Sequence, residues 1–391
     1  MKKTKLLPLV LLSLFITTYW VQAENNPKDE LNPLEHGVPS LTIAPDARGG
    51  GMGDIGAATE PDFASQHWNP AKYAFAYSKA GIGLSYTPWL RQLVNDIDLV
   101  YLSGYYKLGD SDLHALGASL RYFSLGTIPL TQDGNIIVNE ANPYEMAIDL
   151  SYSLKFSETF AGAVAIRGIY SDLGAGVVEG LFAGKAFAAD VAGYYNNYVM
   201  MGSNECMLGL GFNISNIGTK ISYDDGFTNT FLPTNLRLGT SFLFPMDDYN
   251  TLSLNLDVNK LLVPTPPVLD GLSDEERKAA QEAYRNISPI SGIFKSFSDA
   301  PGGFKEELRE VMWSLGAEYA YDSKFFVRGG YFYENPTKGN RQYFSLGTGF
   351  KLTSFQMDVA YLISTVPSNP LDQTLRFSLS FDMDGLKGLM R

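Results

Sequence analysis

Residues whose spacing could support cofactor chemistry occur once, near the start of the sequence. Residues 51–56 (GMGDIG) match the glycine pattern of dinucleotide-binding loops. That chemistry needs a buried strand before the pattern and a helix after it, within a βαβ unit. Pro45 and Arg48 stand where the strand should end, and no such unit follows. The pattern therefore predicts a flexible loop.

Three histidines and several acidic residues are the remaining candidates for catalysis or metal binding. His36, His67 and His114 lack the i, i+4 spacing of a helical zinc site, and the sequence contains neither H-E-x-x-H nor G-x-S-x-G. Asp149 and Glu318 could act as an acid–base pair, but charged pairs inside barrels are usually structural. The sequence therefore predicts no catalytic residue, metal ligand or cofactor, and indicates a protein that is not an enzyme.

Charge and composition exclude other classes of function. The formal net charge is −12 and no basic patch is present, so we expect no nucleic-acid partner. The single cysteine, Cys206, permits no internal disulfide and no thiolate metal cluster. Glycine is abundant and aromatic residues reach 13%, a composition that favours many strands over a helical bundle.

The first 23 residues have the organisation of an export signal. Lys2, Lys3 and Lys5 form a basic start, residues 6–16 are apolar, and residues 21–23 (VQA) form a small-residue cleavage site. The alternative is a membrane-anchor helix, but the apolar run is too short to span a bilayer. We therefore predict a signal peptide over residues 1–23.

Residues 24–79 differ from the rest of the chain because they are rich in proline and glycine. They predict an irregular segment with one short helix, ending in the turn Asn69-Pro70-Ala71 just before the first strand. We expect this segment to lie in or under the periplasmic mouth of a barrel and to act as a plug of its lumen.

From Ala80 onward, apolar and polar residues alternate with period two between turn residues, the pattern of β-strands. Most of these segments have the ~9–11 residues of a tilted membrane-spanning strand. Fourteen are predicted, over residues 80–87, 98–107, 114–124, 145–156, 160–170, 187–199, 207–214, 235–244, 251–259, 312–321, 325–334, 341–352, 355–364 and 372–382.

The connections favour an outer-membrane barrel. Every second connection is short, as at 157–159, and most of the others are long, as at 125–144. The fold class predicted is therefore all-β: a membrane-spanning antiparallel β-barrel of about 14 strands over residues 80–391, in a Gram-negative outer membrane, with both termini periplasmic. A soluble sandwich or propeller is the alternative. Charged residues expected on the lumen face are Arg121, Asp149, Arg167, Arg237, Asp257, Glu318, Arg328, Asp358 and Arg376.

Two of the long connections are unusual. In residues 260–311, Ser273 and Glu276 form a capping box for a helix over 274–286, and a second short helix is predicted from Phe304 to Arg309. This loop could be a solvated lid or a partner-binding element. The other loop, 171–186, is apolar, so it must be buried in the barrel, in lipid or in another protein. Its candidate contact residues are Val177, Val178, Leu181, Phe182 and the adjoining Phe187.

The N-terminal motifs resemble a known family. Residues 44–53 (APDARGGGMG), Asp62, residues 68–71 (WNPA) and residues 85–90 (SYTPWL) are similar to the start of the PorV proteins, also called LptO. These are outer-membrane components of the type IX secretion system. The wider group resembles the fourteen-stranded FadL-type barrels, which share an Asn-Pro-Ala element placed inside the barrel.

The resemblance implies a role in secretion. PorV-like proteins associate with the giant translocon barrel. They receive cargo proteins through the C-terminal signal domain of the cargo and deliver them to the sortase-like protein PorU. The family offers no catalytic motif to carry over. The rival function is a FadL-like transporter of hydrophobic small molecules, which would need an apolar pocket inside the barrel. Outer-membrane lipid is the remaining expected partner.

Overall fold

The computed structural model describes residues 31–383 except 92–93, 95, 110–111, 133–135, 203 and 368–370. The predicted signal peptide and residues 24–30 lie outside the described residues. None of the helices within the described ranges is long and apolar enough to cross a membrane.

Strands dominate the chain. Their bounds are β1 Ala80–Pro88, β2 Ile97–Leu108, β3 His114–Leu125, β4 Ile128–Gln132, β5 Ile136–Ala141, β6 Tyr144–Lys155, β7 Phe160–Asp172, β8 Gly184–Met201, β9 Asn204–Gly218, β10 Asn235–Pro245, β11 Asn250–Leu261, β12 Val311–Tyr321, β13 Phe325–Tyr333, β14 Gln342–Lys351, β15 Phe355–Ser364 and β16 Leu375–Asp382. All except β4 and β5 form one closed antiparallel barrel, in which β3 pairs with β6 and β1 closes on β16.

The barrel has polar side chains inside and apolar side chains outside, the reverse of a soluble protein. In β6, Asp149, Ser151 and Ser153 are buried, whereas Ile148 and Leu150 are exposed on the outside. An outward apolar face is stable only in lipid, where closure of the sheet also satisfies every strand edge. The alternation that predicted the strands therefore also predicted the environment, and the fourteen-stranded antiparallel barrel is confirmed.

The helices lie in two regions. Before β1 come two short α-helices, α1 Ala47–Gly50 and α2 Ser65–Trp68, and two 3₁₀ helices, Pro39–Thr42 and Pro70–Phe75. Between β11 and β12 come α3 Asp274–Arg285, α4 Pro289–Lys295 and α5 Phe304–Arg309. Helices α3 and α5 confirm the prediction, and both halves of the capping box of α3 are present. Helix α4 was not predicted.

The sequence interpretation also missed two features of the strands. Strands β4 and β5 form a separate hairpin inside the loop between β3 and β6. In addition, β8 continues to Met201, although its last pair with β7 is Phe160 with Tyr195. The β8–β9 hairpin therefore extends beyond its β7 neighbour at the end of the barrel where the short turns lie.

The segment from Asn32 to Lys79 threads through the lumen. The Asn32 amide donates to the Thr337 carbonyl, in the connection after β13 at the long-loop end. At the other end, Lys107 donates its Nζ to the Ala76 carbonyl, close to the short turn after β2. This segment therefore runs from the long-loop end to the short-turn end, and its expected place in or under the periplasmic mouth stays a prediction. The contact of Asn32 with Thr337, which is far from it in sequence, sets the start of this path.

Candidate functional site

The plug motif Asn69-Pro70-Ala71 is buried and joins the N-terminal segment to the barrel wall. Asn69 accepts from the Ala71 amide (3.0 Å) and donates through Nδ2 to the carbonyls of Ala57 (2.9 Å) and Gly193 (3.0 Å). The Pro70 carbonyl accepts from the Ser153 hydroxyl at 2.7 Å. Since Gly193 lies on β8 and Ser153 on β6, the motif is bonded to two different strands of the wall.

The two motifs that carry the family resemblance contact each other inside the barrel. Asp46 caps α1 by accepting from the Gly49 amide (2.8 Å), and its other oxygen accepts from Trp68 Nε1 (2.6 Å). A Cβ atom at Gly49 would lie 2.6 Å from the Trp68 ring, and one at Gly56 would lie 2.2 Å from it. The glycines are therefore needed so that the backbone can approach the indole.

Residues 51–56 form a loop, as predicted, but one buried in the lumen. Gly53 has φ +81, and a Cβ there would lie 2.9 Å from the backbone nitrogen of Tyr331 on β13. Asp257 on β11 accepts from the amides of Gly56 (2.9 Å) and Ala57 (3.0 Å). This glycine pattern thus allows close packing on the barrel wall rather than nucleotide binding.

Charged residues of the lumen form paired networks. Arg48 of the plug pairs with Glu318 at 2.9 Å, Glu318 pairs with Arg328 at 2.5 Å, and Arg328 reaches Asp358 at 2.6 Å. The inward placement predicted for these side chains is confirmed. The full predicted set, all turned to the lumen, is Arg121, Asp149, Arg167, Arg237, Asp257, Glu318, Arg328, Asp358 and Arg376.

The candidate acid–base pair is not assembled. Asp149 accepts from Arg167 and the Ser119 hydroxyl, whereas Glu318 belongs to the separate network with Arg48 and Arg328. Within the described ranges, no group of three or more His, Cys, Asp or Glu could hold a metal ion. These carboxylates neutralise guanidinium groups that would otherwise be buried unpaired.

Two cavities adjoin the plug. The larger, about 430 Å³, lies at the short-turn end and has a mixed lining, with charged groups such as Arg48 and Glu318 and apolar side chains such as Phe326. The smaller, about 50 Å³, lies on the long-loop side and is lined by His67 and Arg237 among others. Plug residues line part of each cavity. Neither cavity is the long apolar pocket that a transporter of hydrophobic compounds would need.

The apolar loop between β7 and β8 stays outside the lumen. Asp172 accepts from the amides of Gly174 and Ala175, and Leu181 folds back over Gly174. The loop is tied to the next long connection by the Phe182 amide, which donates to the Tyr223 carbonyl at 2.8 Å.

The candidate contact residues of this loop are not all in one place. Val178 is 38% and Phe182 54% exposed, whereas Val177 and Leu181 are partly buried. Phe187 does not belong with them. It lies on β8, which begins at Gly184, and faces outward with the other lipid-facing side chains.

The connection between β11 and β12 is fixed to the barrel rim by acidic residues of α5. Lys338 Nζ contacts Glu306 at 2.6 Å and Glu310 at 3.0 Å. Burial would raise the pKa of Glu306, but hydrogen bonds and the charge of Lys338 hold that pKa below its ordinary value. No local sequence signal indicates this Lys338 latch, because Lys338 lies two strands further along the chain.

A closed barrel with an outward apolar face and an occupied lumen defines an integral outer-membrane β-barrel protein. Residues 26–268, more than half of the chain, match the family described as type IX secretion system protein PorV. The chain therefore belongs to the PorV family of outer-membrane secretion proteins, which are not enzymes. A search of curated proteins finds no match.

The solved structures that are similar to this chain include the following three. The monoaromatic hydrocarbon channel CymD has 13% identity and a TM-score of 0.48, covering 87% of this chain and 98% of that one. The Ralstonia pickettii toluene transporter TbuX has 12% identity and a TM-score of 0.44, covering 87% and 96%. A Pseudomonas aeruginosa FadL homologue has 10% identity and a TM-score of 0.43, covering 90% and 99%.

Proposed function

We propose that this chain receives cargo bearing a C-terminal signal domain from the giant translocon barrel and delivers it to the sortase-like protein PorU. Membership of the PorV family supports a place in type IX secretion. The cargo handover, the translocon contact and the PorU contact are the proposed steps.

The observation that carries the proposal is the combination of a filled lumen with an exposed apolar loop. Plug residues such as Asn69 and Asp46 are bonded deep within the barrel, so cargo has no room to pass through it. Val178 and Phe182, by contrast, are exposed at the long-loop end. A carrier needs an accessible outer contact and no pore of its own, and this chain has that arrangement.

The orientation proposed places the long loops outside the cell and the short turns in the periplasm, as in other outer-membrane barrels. The end of β16 then lies on the periplasmic side. In this orientation Asn32 lies at the external end, and the periplasmic position expected for both termini stays a prediction.

Replacing two loop residues tests the translocon contact. Because Val178 is 38% and Phe182 54% exposed, burying the rest of each in a partner would contribute roughly half of the 1.5–3 kcal/mol of a fully exposed apolar side chain. The cost of ordering a glycine-rich loop reduces this gain. The combined change Val178→Asp and Phe182→Asp should leave a folded, heat-modifiable barrel in the outer membrane. It should also reduce co-purification of the translocon and leave signal-bearing cargo in the periplasm.

The matched control is Phe227→Asp in the connection between β9 and β10. Phe227 is 86% exposed on the same end of the barrel, so this change adds charge without touching the apolar loop. Normal secretion and full recovery of the translocon with the double variant would remove the loop from the mechanism. Equal loss with the control would assign the effect to loop charge in general.

A further inference from the structure

The connection between β11 and β12 carries an exposed apolar surface. In and just after α4, Ile290, Phe294 and Phe297 recur at helical spacing on one face, and Phe294 is 73% exposed. In α5, Phe304 and Leu308 repeat the pattern, and Phe304 is 76% exposed. Large side chains clustered in this way mark a surface that contacts something other than water.

The opposite face of α4 is packed against the protein, so the helix cannot turn its apolar face inward. A Cβ atom at Gly292 would lie 3.0 Å from Cγ of Pro264 and 3.3 Å from the Phe231 ring. Ser296, one turn further, is fully buried. The helix therefore lies against Pro264 on its small-residue face and turns its aromatic face away from the protein.

Ion pairs hold α5 so that its apolar side is also turned away from the protein. Lys260, at the end of β11, contacts Glu307 at 3.0 Å and Glu310 at 2.7 Å. Lys338 contacts Glu306 and Glu310. Because these glutamates occupy one side of the helix, the other side must face away from the mouth of the barrel.

The apolar side of α5 lies only a few residues along the chain from the lipid-facing band of the wall. Helix α5 ends at Arg309 and β12 begins at Val311. Trp313 then faces outward and stacks on Tyr333 with ring centroids 5.4 Å apart, an aromatic pair of the kind that marks a membrane–water interface. From Leu308 to Trp313, five residues span at most about 17 Å.

The charges beside this surface suit anionic lipid. Lys295 on α4 and Lys305 on α5 are both exposed. Lys295 lies about 100° around its helix from Phe294, and Lys305 lies about 60° around its helix from Leu308. The acidic residues of α5 are turned to the rim instead. Aromatic residues beside lysines on a short helix are typical of segments that lie in the headgroup region of a membrane.

We propose that α4 and α5 rest on the outer-leaflet surface, α5 beside β12 and α4 beside β9. The rings of Phe294 and Phe304 enter the boundary between headgroups and acyl chains, and Lys295 and Lys305 contact lipid phosphates. The contact fixes the long connection against the membrane and leaves the loop between β7 and β8 free. It is independent of the proposed cargo handover.

Spin labels test this contact directly. The variants Phe294→Cys and Phe304→Cys are labelled separately with a nitroxide in the full chain, reconstituted in vesicles of phosphatidylglycerol and phosphatidylethanolamine. Native Cys206 is buried and stays unlabelled. Collisions with oxygen should exceed collisions with a water-soluble nickel chelate at both sites. The label in Phe227→Cys, on the same end, should show the reverse.

The lysines provide a second measurement on the same labels. Lys295→Gln with Lys305→Gln should lower the lipid-inserted population roughly fivefold per lysine, and phosphatidylcholine vesicles should have a similar effect. Water-like collisions at 294 and 304 in the anionic vesicles would overturn the proposal and would assign the surface to a protein partner. Insertion that ignores both lysines and lipid charge would overturn the phosphate contact.

Discussion

Removing the side chain of Asn69 should release the plug from the wall. Asn69→Ala deletes two donated hydrogen bonds, to Ala57 and Gly193, and the bond that Ala71 donates to it. Each buried bond contributes about 0.5–1.5 kcal/mol, and a buried group left without a partner costs more. The loss of plug stability should therefore be about 2–4 kcal/mol. The wall itself should be little affected, because its strands remain paired.

Two assays separate plug release from barrel unfolding. Planar-bilayer recordings of Asn69→Ala should show brief openings that the unmodified protein lacks, while heat-modifiable gel mobility stays normal. The control Asn235→Ala removes a 3.2 Å bond to Asn259 between two wall strands, and should produce no openings. Equal conductance of both variants and the unmodified protein would refute the role of Asn69 as an anchor.

Three further outcomes are expected. Leu254→Arg places a charge in lipid at mid-strand and should cost about 2–4 kcal/mol in vesicle refolding; unchanged refolding would contradict the outward assignment. Asp257→Arg, on the lumen face, should also be severe, because the buried carboxylate binds two plug amides; a mild effect on refolding would contradict this. The pKa of Glu306 is lowered, so the carboxylate stabilises the Lys338 latch at pH values above the ordinary pKa of a glutamate. This stabilisation is lost as the pH falls from that ordinary pKa through the lowered one. Protection of α5 against hydrogen exchange, taken relative to the intrinsic amide rate at each pH, should therefore fall below about pH 4. Protection that does not change with pH would argue against the latch.

The wall of the barrel could be predicted from sequence because its signals are local. Each strand shows its own alternation, so Asp149 and Leu150 are assigned to opposite faces without knowledge of any other strand. Helix α3 was predictable for the same reason, since Ser273 and Glu276 form its cap within one turn. Short-range patterns of this kind do not depend on the rest of the chain.

The path of the plug could not be predicted, because it depends on distant contacts. Nothing near Asn32 indicates that it meets Thr337, and nothing near residues 51–56 indicates that Asp257 binds them. Proline and glycine content correctly indicated an irregular segment but gave no direction. Helix α4 did have a signal: Ser288 caps it and Pro289 stands at its first turn, a combination favoured at helix starts.

The proposed handover of cargo from the translocon to PorU can be tested by gentle detergent purification of the tagged full chain from outer membranes, with identification of the proteins and lipids that co-purify. The giant translocon barrel and cargo still carrying its C-terminal signal domain should be recovered, with PorU in a further fraction. Recovery of a bound hydrophobic compound without any of these proteins would contradict it and favour a transporter.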